Sequence, residues 1–197
     1  MKTLMILLVI VPMCFAVCFW EYFPSSTYFP PSGWLIVSEG PGFGNWYWSD
    51  TGQPGNGYAH GAVVVNGPSE TSATSTLKTS PFSLFVGDNC HVDFYMKGSS
   101  DGYQVSFGRQ VLLFNGTNIV ASYNLPETAP WSHQILTFQN ISTASSNYRI
   151  GWKLTASCSP ILYAGGMASF DLDTIHLYDE SVALEPTSLG RIKGAFH

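Results

Sequence analysis

Two carboxylates stand two residues apart near the end of the chain, at Asp171 and Asp173. In an extended strand both would point to the same side. There they could supply oxygen ligands to a hard cation such as calcium, or act as the paired carboxylates of glycoside cleavage. A calcium loop usually offers more oxygen ligands than this stretch does. We therefore favour the simpler interpretation, in which the carboxylates are solvated at a strand end or accept hydrogen bonds from neighbouring backbone amides. We predict neither a metal nor a cofactor.

Other signs of catalysis are weak. The chain has no Gly-x-Ser-x-Gly elbow, no His-Glu-x-x-His pair, no phosphate-binding loop and no dinucleotide fingerprint. Its histidines are scattered, at positions 60, 91, 133, 176 and 197. A catalytic site needs a nucleophile, a base and a group that stabilises charge, and the sequence suggests no such set. We predict that the protein is not an enzyme and assign no catalytic residue.

In a secreted chain the cysteines are expected to form disulfides. Cys14 falls in the N-terminal apolar segment, which leaves Cys18, Cys90 and Cys158. Cys90 and Cys158 each lie beside a predicted strand, and we predict a disulfide between them, which would stabilise the fold by about 4 kcal/mol by closing a long loop. Cys18 is then unpaired or forms an intermolecular link. The alternative for Cys90, a catalytic thiol, needs a basic partner, and His91 would point to the opposite face of the strand.

The N-terminal twenty residues read MKTLMILLVIVPMCFAVCFW. One lysine precedes an apolar run, Pro12 interrupts the run, and small residues suit cleavage after Ala16, which together predict a signal peptide over residues 1–16. An uncleaved anchor is the alternative, because the stretch from Leu4 to Trp20 approaches the ~20 residues that span a bilayer. We predict a secreted, extracellular protein with no membrane span once the signal is removed.

Sequons and charge narrow the class of protein further. Sequons begin at Asn115 and Asn140, and we predict glycosylation at both. Eight Lys and Arg against 13 Asp and Glu give a formal net charge of −5. Because the chain has no basic run that could neutralise a phosphate backbone, nucleic acid is excluded as a partner.

Short strands must position these residues. Apolar residues fall in runs of four to eight, often alternating, and turn residues separate the runs. In the segments 90–96 and 148–154 every second residue is apolar, which predicts two half-buried strands. Alternation over 169–177 places Ile175 and Leu177 on the same face as the two aspartates.

The strand pattern sets the fold class and the domain organisation. Many short strands separated by turn signals predict an all-β, jelly-roll-like antiparallel β-sandwich. We assign this domain to residues 17–178. The alternation stops after Tyr178, and residues 179–197 are predicted to be a C-terminal tail.

The segment GNWYWSD, from Gly44 to Asp50, places three aromatic residues between turn-forming residues. In an extended chain Trp46 and Trp48 share one face and Tyr47 takes the other. The tryptophans are predicted to lie in the core, since large aromatic side chains are mostly buried. Tyr47 and the loop that follows stay exposed, and loops on a rigid sandwich commonly carry recognition. The predicted binding residues are Tyr47, Asp50, Gln53 and Asn56.

Six stretches between residues 18 and 178 carry cysteine, glycine and aromatic residues in a fixed order. They are Cys18-Phe19-Trp20-Glu21, Ser32-Gly33-Trp34, Gly57-Tyr58, Leu77-Lys78-Thr79-Ser80-Pro81, Cys90-His91-Val92-Asp93-Phe94-Tyr95-Met96 and Gly165-Gly166-Met167-Ala168-Ser169-Phe170-Asp171-Leu172-Asp173-Thr174-Ile175. In this order they resemble the MAM domain, an extracellular jelly-roll module of adhesion receptors, receptor phosphatases and secreted proteases. The resemblance implies a recognition module for adhesion or assembly without catalysis of its own. Ser32 stands where the family has Cys, which implies that Cys18 has lost its partner.

Three functional hypotheses follow from these features. The leading one is a secreted glycoprotein that binds an extracellular protein partner or a second copy of itself. The alternative is a carbohydrate-binding, lectin-like jelly roll, whose exposed aromatic rings stack on sugars while polar loop groups fix hydroxyls. The third is a secreted glycoside hydrolase that uses Asp171 or Asp173.

Overall fold

The computed structural model describes residues 18–23, 26–50 and 57–179, with the backbone alone described at positions 18, 128 and 129. Its regular elements are a short 3-10 turn at Ser26–Tyr28 and thirteen strands. The strands are β1 (Cys18–Glu21), β2 (Leu35–Glu39), β3 (Phe43–Ser49), β4 (Tyr58–Asn66), β5 (Ser72–Lys78), β6 (Phe82–Leu84), β7 (Cys90–Gly98), β8 (Ser100–Tyr103), β9 (Val105–Asn115), β10 (Asn118–Asn124), β11 (Thr128–Phe138), β12 (Ser145–Cys158) and β13 (Gly165–Asp179).

The strands form two antiparallel sheets. Sheet A has the order β11-β7-β13-β4-β3, with β1 and β8 each paired to β13. Sheet B has the order β10-β9-β12-β5-β2, with β6 paired to β12. The inner faces of the two sheets enclose one hydrophobic core. The prediction of an all-β, jelly-roll-like antiparallel β-sandwich is confirmed.

Alternation along β7 and β12 places the core side chains as predicted. The inward-facing residues of the two strands are each at most 2% exposed: Cys90, Val92, Phe94, Met96, Tyr148, Ile150, Trp152 and Leu154. At the centre, the Trp152 ring lies parallel to Trp34 and meets Phe94 edge-on, with both centroid distances at 5.9 Å. Burial of each such ring stabilises the fold by about 1.5–3 kcal/mol.

The trio in GNWYWSD divides as predicted. Trp46 is 2% exposed and meets Phe170 in the core, with the ring centroids 5.7 Å apart. Trp48 is half-buried on the same face of β3, and its indole N–H donates to the Phe23 carbonyl at 2.7 Å. Tyr47 faces outward and is 45% exposed. The tryptophans therefore anchor β3 and leave the tyrosine on the surface.

Strand β13 departs from the predicted alternation. The register with β7 shifts between Asp173 and His176, and Thr174 has a φ of 49°. This β-bulge adds one residue, so Ile175 and Leu177 turn inward, where both are fully buried. The prediction that they share a face with the aspartates is wrong, because alternation reverses wherever a strand bulges. His176 takes the outward position instead.

The predicted disulfide between Cys90 and Cys158 is wrong, since both thiols are free. Cys90 is in register with Asp179, the last residue of β13, whereas Cys158 ends β12, seven residues before β13 begins at Gly165. Nearly the whole length of β13 separates the two cysteines, and the Cα atoms of a disulfide lie within about 7 Å of each other. Burial raises the pKa of the Cys90 thiol to about 12, which also removes it as a nucleophile.

The other boundary predictions fall partly outside the described residues. The predicted signal peptide, residues 1–16, lies there, as do the side chain of Cys18 and residues 180–197 of the predicted tail. Asp179, the first residue of that tail, belongs to β13. None of the described elements is a helix with the length and apolar character needed to cross a membrane.

Candidate functional site

A cleft of about 330 Å³ opens on the outer face of sheet A. We name it the Tyr47 cleft. It lies over strands β3, β4 and β13 and is bounded by the segment that joins β7 to β8. Its lining residues are Tyr47, His60, Ala62, Val63, Val64, Ser99, Ser100, Asp101, Met167, Ala168 and Ser169.

The floor of the cleft follows from strand alternation. Ala62 and Val64 on β4 are in register with Ser169 and Met167 on β13, and all four point outward. Met167 is 59% exposed. The floor is therefore partly apolar and partly hydroxyl-bearing, and its position is set by the central strands of the sheet.

One wall of the cleft is formed at the break between two strands, where β7 ends at Gly98 and β8 begins at Ser100. Arg109, on β9 of the opposite sheet, reaches this break and is 5% exposed. Its Nε donates to the Ser169 carbonyl at 2.9 Å and its Nη2 to the Ser99 carbonyl at 2.5 Å. Gly98 makes room for the guanidinium, since a Cβ there would lie 2.5 Å from Nε. The buried Arg109 thus ties two backbone carbonyls together at this point, and the Ser99 carbonyl also accepts the Ser169 backbone N–H at 2.8 Å.

Glu127 completes the support of this wall. Its carboxylate lies 3.5 Å from Arg109 Nη1 and accepts a hydrogen bond from the Ser100 hydroxyl. The Ser100 hydrogen bond, with the nearby Arg109 charge, lowers the pKa of Glu127, so the carboxylate is ionised at neutral pH. Ser99 and Ser100 are therefore held in place on the cleft wall.

The opposite wall is the ring of Tyr47 on β3. Tyr47 is in register with His60, and the two ring centroids are 4.7 Å apart at an interplanar angle of 49°. Partial burial, together with the negative charge of Asp171, raises the pKa of the Tyr47 hydroxyl. Tyr47 is therefore an uncharged ring with a hydroxyl that can donate a hydrogen bond.

Beneath His60 lies a buried charge cluster centred on Asp171, which is 2% exposed. Asp171 Oδ1 is 2.5 Å from His60 Nδ1, and Oδ2 is 3.5 Å from Lys97 Nζ. The Lys97 ammonium also lies over the rings of Tyr58 and Trp131, 5.5 and 5.2 Å from their centroids. Burying a charged group is costly unless it is paired, and these contacts pair Asp171.

Asp173 has a different environment on the same strand face. It is 2% exposed, and its Oδ1 accepts the backbone N–H of Thr174 at 2.7 Å. Burial raises the pKa of Asp173 to about 6, even though the hydrogen bonds from Thr174 act in the opposite direction. The predicted bonding to a neighbouring amide is confirmed for Asp173, while solvation at a strand end is wrong for both aspartates. Within the described part of the chain, no three His, Cys, Asp or Glu side chains meet in a way that could hold a metal ion.

The structure separates the predicted binding residues. Tyr47 lines the cleft, whereas Asp50 is exposed just after β3 and is not among the lining residues. Gln53 and Asn56 lie outside the described residues. Sequence reasoning missed His60. Alternation along β4 would have placed it on the outward face, but only the pairing of β3 with β4 sets it beside Tyr47.

The two predicted glycosylation sites lie on turns away from the cleft. Asn115 ends β9 before the exposed pair Gly116 and Thr117, and Asn140 is exposed in the turn after β11. Glycosylation at either position stays a prediction.

No family model matches the chain. No curated protein matches it either. Among solved structures it is similar to TmCBM61 in complex with β-1,4-galactotriose, at 14% identity and a TM-score of 0.45, over 81% of this chain and 99% of that one. It is also similar to the K1 cleaved adhesin domain of Lys-gingipain from Porphyromonas gingivalis W83, at 11% identity and a TM-score of 0.49, over 81% and 96% of the two chains. A third is a Stig cyclase from Fischerella sp. TAU in complex with (3Z)-3-(1-methyl-2-pyrrolidinylidene)-3H-indole, at 16% identity and a TM-score of 0.46, over 81% and 89%. At these identities and TM-scores the three structures assign no function to this chain.

Proposed function

We propose that this protein is a secreted, non-catalytic carbohydrate-binding module and that the Tyr47 cleft is its binding site. One observation carries the proposal: a half-exposed tyrosine ring stands over a concave surface whose other polar groups are mostly hydroxyls. Small-ligand sites typically combine an apolar or aromatic surface with a few fixed polar groups. This combination suits a sugar, which has apolar C–H faces and hydroxyls around its rim.

The polar groups of the cleft have distinct roles in this proposal. The Tyr47 ring packs on the face of one sugar ring. Sugar hydroxyls donate hydrogen bonds to the hydroxyl oxygens of Ser99, Ser100 and Ser169 and to the carboxylate of Asp101. His60 braces the tyrosine and is itself held by Asp171. The cleft residues are therefore positioned before the ligand arrives, which lowers the entropy cost of binding.

The size of the cleft favours a glycan over a protein as its occupant. Its volume of about 330 Å³ lies at the lower end of small-ligand sites. A protein partner needs about 800 Å² of surface on each side, which a concave site of this size does not offer.

The two aspartates support the non-catalytic part of the proposal. Glycoside cleavage needs two carboxyl groups that flank the scissile bond. Asp171 is enclosed by His60 and Lys97, and Asp173 is turned to the amide of Thr174, with each aspartate only 2% exposed. Neither carboxyl group is available to a substrate in the cleft.

A glycan array probed with the full secreted chain tests the proposal, followed by calorimetry with the strongest hit. We expect Tyr47→Ala to lower the affinity about tenfold, because the loss of a stacked aromatic ring is worth about 1.5 kcal/mol. Tyr28→Ala is the matched control, since Tyr28 is 71% exposed on the 3-10 turn and should leave the affinity unchanged. An array with no signal above background would contradict the proposal, as would equal affinities for the two variants.

A protein partner, the leading hypothesis from the sequence, has support from a different region. The loop between β12 and β13 exposes Ile161, Leu162 and Tyr163 at 45%, 69% and 86%. A cluster of exposed apolar side chains often marks a contact site. Tyr163 also has a φ of 76°, an uncommon conformation for a residue other than glycine.

Sedimentation equilibrium separates this second function from the first. If the loop mediates self-association, the wild type should dimerise and Leu162→Ser should be monomeric, with unchanged glycan affinity. A wild type that stays monomeric at all concentrations would rule out the homophilic form of this function.

A further inference from the structure

A second cavity, of about 490 Å³, opens on the outer face of sheet A beside the Tyr47 cleft. We name it the Tyr103 cavity. Three of its lining residues, Val64, Asp101 and Met167, also line the Tyr47 cleft. The two cavities therefore adjoin, and together they form one groove. The residues that line the Tyr103 cavity alone are Asn66, Gly102, Tyr103, Gly165 and Gly166.

The shared residues form one cross-strand row of the sheet. Met167 on β13 is in register with Val64 on β4 and with Asp101 on β8. Residues in register point to the same side of a sheet, so this row lies on the outer face, where Met167 is 59% exposed. The next outward row, toward the start of β13, consists of Asn66, Gly165 and Tyr103. The groove therefore continues past the Tyr47 cleft along the outer face of β13.

A tyrosine stands at each end of the groove. At one end, Tyr47 is paired with His60, which is in register with Asp171. At the other end, Tyr103 is in register with Gly165 and is 63% exposed. Gly165 and Asp171 are six residues apart on β13, which is about 20 Å of extended strand. The groove is therefore much longer than a single ring and offers an aromatic side chain at both ends.

The position of Tyr103 is set by the corner between the two sheets. Tyr103 is the last residue of β8, and β9 begins at Val105 in the opposite sheet. Gln104, between them, has a φ of 54°, which is uncommon for a residue other than glycine. Its side-chain Nε2 donates to the Tyr103 hydroxyl at 3.4 Å. The corner thus holds the tyrosine at the margin of the groove.

The floor of the Tyr103 cavity is open because Gly165 has no side chain. A Cβ at this position would lie 2.9 Å from the Val65 carbonyl oxygen and 3.2 Å from Asn66 Oδ1. The amide oxygen of Asn66 therefore stands beside the open floor, while its Nδ2 donates to Glu70 Oε2 at 3.2 Å. An amide oxygen in this place can accept a hydrogen bond from a ligand hydroxyl.

The charges along the groove limit what it can bind. Among the described residues that line either cavity, none is Lys or Arg, and Asp101 carries an exposed carboxylate. Glu70 adds a second carboxylate next to the Tyr103 cavity. The Lys97 ammonium behind the Tyr47 cleft already faces Asp171, at 3.5 Å. Because like charges placed together are unfavourable, the groove disfavours an anionic ligand.

The strands under the groove exclude a peptide that would add to the sheet. Such a peptide needs a free strand edge. Strand β4 is paired with β3 and β13, and β13 is paired with β4 and β8 along the groove. A ligand must therefore be recognised by side chains: a tyrosine ring at each end, apolar groups in the middle, and hydroxyl and amide groups between them. A chain of linked sugars repeats the matching features, since each unit has a C–H face and hydroxyls.

We propose that the groove binds an uncharged oligosaccharide, with one sugar unit on Tyr47 and a later unit of the same chain on Tyr103. This inference rests on the proposed function and extends its site from the Tyr47 cleft into the Tyr103 cavity. Both tyrosines are fixed on one sheet, so the second contact of a bound chain is intramolecular and raises the affinity. Long uncharged chains therefore bind more tightly than short ones.

Calorimetry with the full secreted chain tests the length dependence. The probes are maltose and maltohexaose, laminaribiose and laminarihexaose, and β-1,4-mannobiose and β-1,4-mannohexaose. In at least one pair we expect the hexaose to bind about tenfold more tightly than its disaccharide. Tyr103→Ala should remove this advantage and leave the disaccharide affinity unchanged, because a disaccharide on Tyr47 does not reach Tyr103. Tyr103→Phe keeps the ring and should retain the advantage.

The controls separate a failure of this inference from a failure of the proposed function. Tyr28→Ala, which removes an exposed tyrosine outside the groove, should retain the hexaose advantage, and thermal unfolding shows whether Tyr103→Ala is folded. If the probes bind without a length advantage, or if Tyr103→Ala keeps it, the extended site is wrong while the cleft stands.

Two further outcomes decide the class of ligand. If none of the six sugars binds, this inference is overturned, and the proposed function falls with it only when the glycan array is blank as well. Strongest array hits that carry carboxylate or sulfate groups would contradict the assignment to uncharged chains, even though they would support glycan binding.

Discussion

Two regions of the molecule, one on the outer face of each sheet, cover their aromatic residues to different extents. On sheet B, Phe114 faces outward but is only 5% exposed, because it lies over Gly151 and under Lys78, whose ammonium is 3.9 Å from the ring centroid. On sheet A, Tyr47 and Trp20 are 45% and 52% exposed, and each is braced from one side by a histidine. An outward aromatic ring is covered where it serves packing alone. The rings that stay uncovered on a rigid support are the ones available to a ligand.

Polar groups differ between the faces as well. The outer face of sheet B carries a cross-strand row in which Gln110, Lys153, Thr76 and Val37 follow one another in register. These residues can meet water or their strand neighbours. On sheet A, two carboxylates are 2% exposed and depend on specific partners. The outer face of sheet A therefore carries an electrostatic cost that this row on sheet B avoids, as expected of a face shaped for binding.

The buried charge cluster gives the largest expected contrast. Asp171→Ala should lower the free energy of unfolding by about 3 kcal/mol, because it leaves His60 and Lys97 without their carboxylate. Lys153→Ala on sheet B should change it by less than about 0.5 kcal/mol. Urea denaturation at pH 7 measures both. Equal losses for the two variants would remove the electrostatic difference between the faces.

Asp173 should make the stability of sheet A depend on pH. Its folded pKa of about 6 lies above the usual value, so folding favours the protonated form. The native state is therefore favoured by this group at low pH and loses that contribution as the pH rises from about 4 through 6. Asp173→Asn should stabilise the protein at pH 7.5 by about 2 kcal/mol and have little effect at pH 3.5. Denaturation of both proteins across this range checks the sign, and a gain at low pH alone would contradict it.

Filling the cleft should abolish binding while the fold is kept. Ala62→Phe places a ring on the cleft floor, so we expect glycan affinity to fall more than about tenfold, or about 1.4 kcal/mol. Thr74→Phe, on the outer face of β5 in sheet B, is the matched control and should bind as the wild type does. Calorimetry with the array hit measures both, and a Thr74→Phe defect as large as that of Ala62→Phe would place the binding surface elsewhere.

The smallest expected change in the free energy of unfolding comes from Lys78, whose ammonium covers the Phe114 ring. Lys78→Ala removes a cation over an aromatic ring and should lower the free energy of unfolding by about 0.5–1 kcal/mol. Partial burial lowers the pKa of Lys78, which agrees with an ammonium packed on the ring. Glycan affinity should not change, and thermal unfolding with calorimetry measures the two quantities. A change in affinity would mean that the outer face of sheet B takes part in binding.

The sequence alone supports much of the fold and a smaller part of the site. Strict alternation fixed the inward faces of β7 and β12, and the position of Tyr47 opposite two tryptophans placed it outside. The rest of the cleft is formed by residues far apart in the chain, such as Ser99, Ser169 and Arg109. Local sequence patterns do not predict that these residues contact one another. The predicted disulfide between Cys90 and Cys158 was wrong for the same reason. A cysteine's position beside a strand in the sequence does not tell which strand ends are neighbours in the fold.

Local sequence determined which residues of this protein face inward, because side chains alternate with a period of two wherever a strand is regular. Tertiary structure decided where that period breaks, at the bulge beside Thr174, and which strands flank β13. Those long-range pairings buried Asp171 between a histidine and a lysine and set Trp20 against His176. Strand pairing depends on the whole core, so the surfaces that would bind a ligand emerge only when the two sheets close.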